Sequence, residues 1–432
     1  MRRFFSWSQT HLTAIRVGWF LALRNIRHSS KWTTSLITFI MVLTFLNLVV
    51  VSGLLSGLIA GSFKQFRENY SGDVIITSAP QQNYIKESQA LVGFLESHPE
   101  VKAFAPRYGV SGQVLGTLND LPNKGERANQ IGIRVVGLNL GKEEALTRFS
   151  RFVVSGEMLN DDEEGYALIG ANMIKKYSAF ADANIPGLDL LNDVDVGSRV
   201  RVTLTSGGQT VKKDFIIKGI VKSKVDEIST RFFITDRELR RMLPANREQF
   251  QEIAVSVDIA YGPTLVAQVI DFLADPTAAR VQTSEDAIPS FLRDIETTFR
   301  VLGNALSSIA LVVASITIFI VIFINAVTKR KSIGIMKGIG IPPKVIEFSY
   351  IFQAIVYAVI GSAIGLLLTF GFLKPYFDAN PIDFPFSDGI LVATPVGALI
   401  RVAILFVVTL IAGYIPAKII VRKNTLDSIL GR

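Results

Sequence analysis

The chain of 432 residues has no cysteine and three histidines, His11, His28 and His98, well apart in the sequence. Disulfides and thiolate metal sites are thereby excluded, and no histidine spacing supports a zinc-type site. Nor does any run fit G-x-x-x-x-G-K-[ST], whose backbone amides and lysine would neutralise nucleotide phosphates. Charge is scarce as well: 19% of residues are charged against 49% hydrophobic, which sets the chain outside the ordinary soluble class.

What takes the place of charge is long apolar runs. Thr33–Gly61, Leu302–Val327, Phe348–Leu373 and, more loosely, Thr394–Ala417 are nearly free of charge. Each is long enough for the roughly 30 Å hydrocarbon layer, which takes about 20 helical residues. The first begins too far along and runs too long for a signal-peptide core, so it reads as a retained anchor. Lysine and arginine set the orientation. Arg2, Arg3, Arg16, Arg24, Arg27 and Lys31 precede span one, Lys329, Arg330, Lys331, Lys337 and Lys344 lie between spans two and three, and Lys418, Arg422, Lys423 and Arg432 follow span four. These segments are expected in the cytoplasm of a multi-pass inner-membrane protein with both termini inside. The loop after span three carries Asp378, Asp383 and Asp388 and is expected outside. The net charge of +8 is then a topology signal rather than a nucleic-acid footprint.

Between spans one and two, a large segment reads as mixed α and β. GDVIITSA (72–79) and IGIRVVGL (131–138) are strand-like, and VGSRVRVTLTSGGQTVKKDFIIKGIV (196–221) alternates Val200, Val202 and Leu204 before a turn at Ser206–Gly208 and a return through Val211, Phe215 and Ile217. QALVGFLESHP and LVAQVIDFLADP have helical spacing. SFKQFRENY and SFLRDIETTFRVLGNAL continue the spans helically, either as a stalk or as interfacial helices. LTAIRVGWFLALRNIRH sets Leu12, Ile15, Trp19, Leu23 and Ile26 against Arg16, Arg24 and Arg27, a helix suited to the inner interface or to packing on a cytoplasmic subunit. The expected order is an amphipathic helix at 1–32, span one at 33–61, an external α+β domain with its stalk at 62–300, span two at 301–327, a basic coupling segment at 328–347, span three at 348–373, an external loop at 374–393, span four at 394–417 and a cytoplasmic tail at 418–432.

Few residues present themselves for chemistry. SGGQ at Ser206–Gln209 matches a nucleotide-contacting signature of transport ATPases, but without a phosphate loop it reads as a hairpin tip. NDDEEG (160–165) lacks the alternate ligand spacing of a calcium loop and reads as a solvated acidic loop. Asn325, Gln353 and Arg401 are polar residues inside the spans, with Arg401 near the outward end where it can reach the interface. A row of intramembrane carboxylates, which a proton-coupled carrier requires, is absent. Gly53, Gly57 and Gly61 recur at four-residue spacing in span one, as do Gly361 and Gly365 in span three, making flat faces for close helix packing or a dimer.

The segment TKRKSIGIMKGIGIPPK (328–344) is a short basic stretch threaded with apolar residues. With span three it resembles the FtsX-like, macrolide-exporter type family of ABC transporter permeases, whose motif runs basic, Glu-Ile-Gly, two apolar residues, basic, small, Leu-Gly, then a basic turn and a glycine-rich span. Ile333–Gly334, Lys337, Gly338–Ile339–Gly340 and Lys344 match, as do Gly361 and Gly365. AGYIPAKIIVRKNTLDSIL resembles the exit from the family's fourth span, LALRNIRHSSKWTTSLIT its leading helix, and the stretch from VVSGEMLNDDEEGYALIG to RFFITDRELRRML its periplasmic core domain. Ser332 stands where Glu is usual, Gln353 where Glu is frequent, and Asn424–Thr425 where the tail commonly has Pro.

The resemblance implies a four-helix membrane protein with a large α+β extracytoplasmic domain between helices one and two. It implies a permease that is no enzyme itself and needs no cofactor in this chain, ATP and Mg being held by a separate cytoplasmic ABC ATPase. The pair would work as a mechanotransmitter. Lys331, Ile333, Gly334, Ile335, Met336, Lys337, Gly338, Ile339 and Gly340 would carry the coupling. Expected partners are a second permease copy or paralogue, membrane lipids, and a periplasmic adaptor, lipoprotein or hydrolase outside, with no nucleic acid. The cargo implied is hydrophobic or lipid-linked, a lipoprotein, drug or peptide for release or efflux. The alternative is a regulator that moves nothing and activates a cell-wall hydrolase.

Overall fold

The computed structural model describes residues 2–116, 128–178, 181, 189–206, 209–243, 249–275, 277–384 and 387–421. The turn glycines Gly207 and Gly208 and the tail with Arg422, Lys423, Asn424, Thr425 and Arg432 lie outside them. The chain opens with α1 (Arg2–Arg27) and α2 (Lys31–Ser71), the second containing π-type turns at Asn47–Val51 and Arg67–Ser71. Next come β1 (Val74–Ser78), α3 (Ser88–Ser97), β2 (Ala103–Leu115), β3 (Gln130–Leu138), α4 (Leu140–Thr147), β4 (Val153–Gly156) and β5 (Tyr166–Gly170). β6 (Arg199–Ser206), β7 (Gln209–Val221), β8 (Arg231–Thr235), α5 (Asp236–Met242), β9 (Glu252–Ser256), α6 (Gly262–Leu273) and β10 (Ala279–Thr283) complete that region. Then follow α7 (Ser290–Thr328), α8 (Arg330–Gly338), α9 (Pro343–Ala379), the short pair β11 (Ile382–Phe384) and β12 (Ser387–Gly389), and α10 (Pro395–Val421).

Two compact units result. The first comprises Met1–Leu58, Asp294–Ile382 and Gly389–Arg432; the second comprises Ile59–Arg293 and Asp383–Asp388. In the first, α2, α7, α9 and α10 are long and apolar enough to cross a membrane. Their shared core holds Met41 and Phe45 of α2, Ile318 and Ile322 of α7, Tyr350 and Ala354 of α9, and Leu405 and Ala412 of α10. Helix α7 turns Val301, Leu306, Ile309, Val312, Ile316 and Ile320 outward, as a helix solvated by lipid can. This is the fold class expected: four apolar helices with an α+β domain between the first two.

The second unit is built on one sheet in the order β10–β1–β9–β2–β3–β8–β5–β7–β4, with β6 pairing both β2 and β7. The thirteen-residue β2 divides it. Residues Ala103–Arg107 pair with β9, and Tyr108–Leu115 pair with β3. Because β6 pairs antiparallel with both β2 and β7, strands β2, β3, β8, β5, β7 and β6 close into a ring. Val114, Val135, Ile169, Val202, Phe215 and Phe232 form its core. The hairpin read from 196–221 is β6 and β7, paired from Arg199↔Ile216 to Ser206↔Gln209. The open half carries α3 and α6, whose Leu91, Leu95, Leu265 and Val269 meet Val74, Ile76 and Val255.

A buried ionic cluster ties these parts together. Tyr70, at the end of α2, donates through Oη to Glu252 Oε2 at 2.6 Å and accepts from Arg231 Nη2 at 2.7 Å. Both guanidiniums lie over its ring, at 4.7 Å for Arg107 and 5.0 Å for Arg231. Arg107 also donates to the Tyr70 carbonyl and makes a two-pronged pair with Glu143 of α4, at 2.9 and 2.7 Å. Two cations and two carboxylates thus balance within the protein. Burial works against ionising Glu252, but Arg231 and Arg107 outweigh it and hold the carboxyl far below the usual range.

Removing one partner strands the opposite charge, so Glu252→Gln is expected to cost about 3–5 kcal/mol, measured as loss of amide protection in β9 and β1. A carboxyl depressed on folding stabilises most above its unfolded value of about 4.3 and loses that contribution as pH falls toward its folded value. The difference between the wild-type chain and Glu252→Gln should therefore shrink on acidification.

Candidate coupling site

The basic stretch after α7 is folded, and as a helix rather than a loop. A nine-residue helix is marginal alone, so packing must hold it. Ile333, 2% exposed, and the buried Gly334 supply that contact, with Ile333 in the same core as Ile322, Ala326 and Val421. The helix stops in a Schellman arrangement. Ile341 N donates to Met336 O and Gly340 N to Lys337 O, both at 3.0 Å, with Gly340 at φ +92°. Met336 and Ile341 both pack against the membrane-unit core. Pro343 then begins α9, where its missing N–H costs nothing.

This geometry divides the nine proposed coupling residues. Ile333 and Gly334 face inward. Met336 and Lys337 are half-buried, and Lys337 Nζ donates to the Val421 carbonyl. Lys331, Ile335, Gly338, Ile339 and Gly340 face outward, with Ile335 57% and Ile339 73% exposed. Lys329 just before the helix donates to Asn25 Oδ1 at 3.2 Å.

Helix α1 packs on α9 through Ala14, Gly18 and Ala22, a small-residue stripe the sequence reading passed over. A Cβ on Gly18 would lie 2.9 Å from Phe348 Cβ, Trp19 meets Phe352 edge-on at 5.4 Å, and Asn25 donates to Ser349 at 3.5 Å. Ile15, Trp19 and Leu23 stay exposed, as an interfacial helix requires. Leu12 lies outside the residues whose side chains are described.

The two glycine faces meet different partners. Gly361 and Gly365 admit Met41 and Phe45 of α2, where a Cβ would come within 2.5 and 2.3 Å. That is helix packing within one chain. Gly53 and Gly57 instead lie against the extended stretch Ile390–Val392: a Cβ on Gly57 would sit 1.8 Å from the Ile390 carbonyl, and Val392 N donates to Gly53 O. Gly61 likewise meets Ser387. Four-residue spacing identifies a flat face but not what lies on it, and here it is backbone rather than another helix or a second copy. Arg401, expected to reach the interface, is half-buried and donates to Ser52 Oγ at 2.7 Å. Gln353 is buried in α9, and Asn325 is half-buried in α7.

The loop after span three is also held. Lys224, following β7, pairs with Asp383 and, at 2.6 Å, with Asp388, while Gln65 of α2 donates to Asp388 at 3.0 Å. Burial works against the Lys224 charge, but Asp383 and Asp388 outweigh it and raise the ammonium above its ordinary value. Lys224 in turn holds Asp383 below its own. The acidic run at 160–165 serves as a turn: Glu163 accepts from Asn160 N and pairs with Lys218 at 2.6 Å, and Asp162 and Glu164 pair with Arg237 and Arg241. Among the described residues, no three His, Cys, Asp or Glu side chains gather as a metal site.

Residues 304–425 match the family described as FtsX-like permease C-terminal, so the likeness read in the sequence is borne out there. No curated protein matches the chain. Among solved structures, the extracellular domain of the noncanonic ABC-type transporter YknZ from Gram-positive bacteria is similar at 13% identity and TM-score 0.31, over 49% of this chain and 98% of that one. The periplasmic region of MacB from Actinobacillus actinomycetemcomitans is similar at 11% identity and TM-score 0.33, over 52% and 94%.

Two substitutions probe these contacts. Gly57→Ala should cost about 1–3 kcal/mol by overpacking and lower the melting midpoint in detergent, while Gly93→Ala, with no atom within 4 Å of the added Cβ, should not. Lys224→Met should raise amide exchange around Asp383 and Asp388 at least about tenfold, since it removes charge-assisted hydrogen bonds to both carboxylates. The Asp383 contribution is present above the ordinary aspartate value and fades as pH falls through its lowered one. The Lys224 contribution fades only as pH rises through its raised value, so in the wild-type chain the loop should loosen first in acid.

Proposed function

We propose that this chain is the membrane subunit of an ABC transporter, driven by a separate cytoplasmic ATPase that supplies ATP and Mg, and that it acts by mechanotransmission. One observation carries the proposal: α8 is rooted by Ile333 in the membrane-unit core yet presents Ile335 and Ile339 outward beside the exposed Arg330 and Lys331. Apolar side chains on a basic helix beyond the ends of the apolar spans fit a groove in a partner, with the cations steering the encounter.

Movement of that groove on ATP binding would load α8. From there the load has direct routes into α7, one residue before it, and α9, joined through the Gly340 turn. Helix α2 and residues Asp383–Asp388 carry residues of the external unit, the latter held by Lys224. Such a linkage needs a stiff element with two arrangements, and the long helices, 39 residues in α7 and 41 in α2, would supply the stiffness. Both termini and α8 would then be cytoplasmic and the α+β domain external. A second permease, identical or paralogous, would complete the transmembrane part, and the cargo would be a hydrophobic or lipid-linked molecule taken up outside, by release or efflux.

The test is to express the chain with its chromosomal neighbours and ask whether an ABC ATPase co-purifies. Ile335→Asp with Ile339→Asp should lose the ATPase while leaving the stability of the chain within about 0.5 kcal/mol of unchanged. Ile333→Asp should instead unfold the helix, by burying an unpaired charge. An ATPase retained by the double variant sinks the α8 interface, and the absence of any associated ATPase sinks the transporter proposal.

A further inference from the structure

Three arginines converge at the end of α2, away from α8. Arg67 of α2 and Arg148 and Arg151 of the loop after α4 line a cleft of about 370 Å³ with Glu68, Gly72, Asp73, Thr147 and Ser256, three cations against two carboxylates. Arg67 lies 3.8 Å from Glu68 and 3.9 Å from Asp73, beyond hydrogen-bond length. Asp73 Oδ2 accepts from Ser256 Oγ and Val257 N, while its Oδ1 is the oxygen beside Arg67. Arg148 has no side-chain partner among the described residues and is held at φ +54°, its N–H donating to the Glu144 carbonyl. Arg151 spends one N–H on Asn69 Oδ1. Guanidinium donors of Arg148 and Arg151 therefore remain free in a concave site, next to Arg67 with its two carboxylate neighbours.

Arg67 also lines a second cleft, of about 310 Å³, with Ala60, Phe63, Lys64, Ser284, Glu285 and Ile288. Ala60, Phe63 and Ile288 give this cleft its apolar surface. Guanidinium forks match the oxygens of a phosphate, and a hydrophobic wall one helical turn away suits glycerol and the first methylenes of a chain. Each cavity falls at the lower end of the size range of small-molecule sites.

We propose that these adjoining clefts bind one anionic amphiphile, a phosphate ester of a lipid, with the phosphate against Arg67, Arg148 and Arg151 and the acyl side against Phe63 and Ile288. No ATPase is needed for this binding, so the site stands or falls apart from the coupling proposal.

The full chain in a neutral detergent would be titrated calorimetrically with dihexanoyl phosphatidate, with inorganic phosphate and with dihexanoylglycerol. Saturable binding is expected for the phosphatidate and at least about tenfold weaker binding for the other two, each lacking one half of the recognition. Arg148→Asn, which tolerates the left-handed backbone, should weaken phosphatidate binding about tenfold, and Phe63→Ser should weaken phosphatidate but not phosphate. Arg151→Gln gives an independent reading should Arg148→Asn shift the melting midpoint. Inorganic phosphate binding as tightly as phosphatidate would make the site one for a free anion and overturn the proposal. Dihexanoylglycerol binding as tightly, or phosphatidate affinity unmoved by both arginine variants, would overturn it too.

Discussion

The α+β unit depends on charge being neutralised where water cannot reach. Tyr70, Arg107, Glu143, Arg231 and Glu252 come from α2, β2, α4, β8 and β9, and none of the four charges has solvent to fall back on. Apolar packing alone would tolerate small displacements among these elements. Charge-assisted bonds that must all be made tolerate much less. The cluster thus fixes where the apolar helix ends and the sheet begins, and the Arg67–Gly72 cleft owes its shape to the same constraint. Tyr70 is the hinge of the arrangement, its ring between two guanidiniums and its hydroxyl between a donor and an acceptor.

Contacts in the membrane unit obey a different rule. With lipid as solvent, small side chains and close backbone approach do the holding. Gly361 and Gly365 on α9 admit α2, Ala14, Gly18 and Ala22 on α1 admit α9, and Gly53 and Gly57 admit the extended chain leading to α10. The last case bears on the stretch Ile390–Val392, whose backbone could not approach α2 so closely if α2 carried larger residues there. Lys224 holds Asp383 and Asp388, earlier in the chain, by charge.

Much of the fold was legible in the sequence because its signals were local. Apolar runs longer than the bilayer, alternating valines in β6 and an i, i+3, i+4 pattern in α6 each state a geometry within one segment. The reach of α2 toward Ser71 and of α7 back to Ser290 was legible too, as helical continuation in SFKQFRENY and SFLRDIETTFRVLGNAL, whereas the π-type turns have no such local signal. The coupling stretch was located by its basic and apolar composition, yet its helical state and its inward and outward faces depend on Ile333 meeting Ile322 and Ala326. The ionic cluster had no signature at all. Its members lie scattered from residue 70 to residue 252, and an isolated Arg or Glu in a strand reads as a solvated face until the partner elements are known.

Strand order has a consequence for how the chain is made. β1 lies between β9 and β10, pairing Val74 with Val255 and Thr283, while its own neighbours in sequence pair elsewhere. Its Val74, Ile75 and Ile76, all buried in the finished protein, must wait until almost the whole domain has been synthesised. At about 5–20 residues per second that interval is on the order of ten seconds or more. Contacts so distant in sequence make for slow closure, and an apolar strand with open edges is what aggregation feeds on. Biogenesis of this domain is therefore a race between completing β10 and capture of β1 by another chain, and a factor that shelters the segment after α2 would decide the yield.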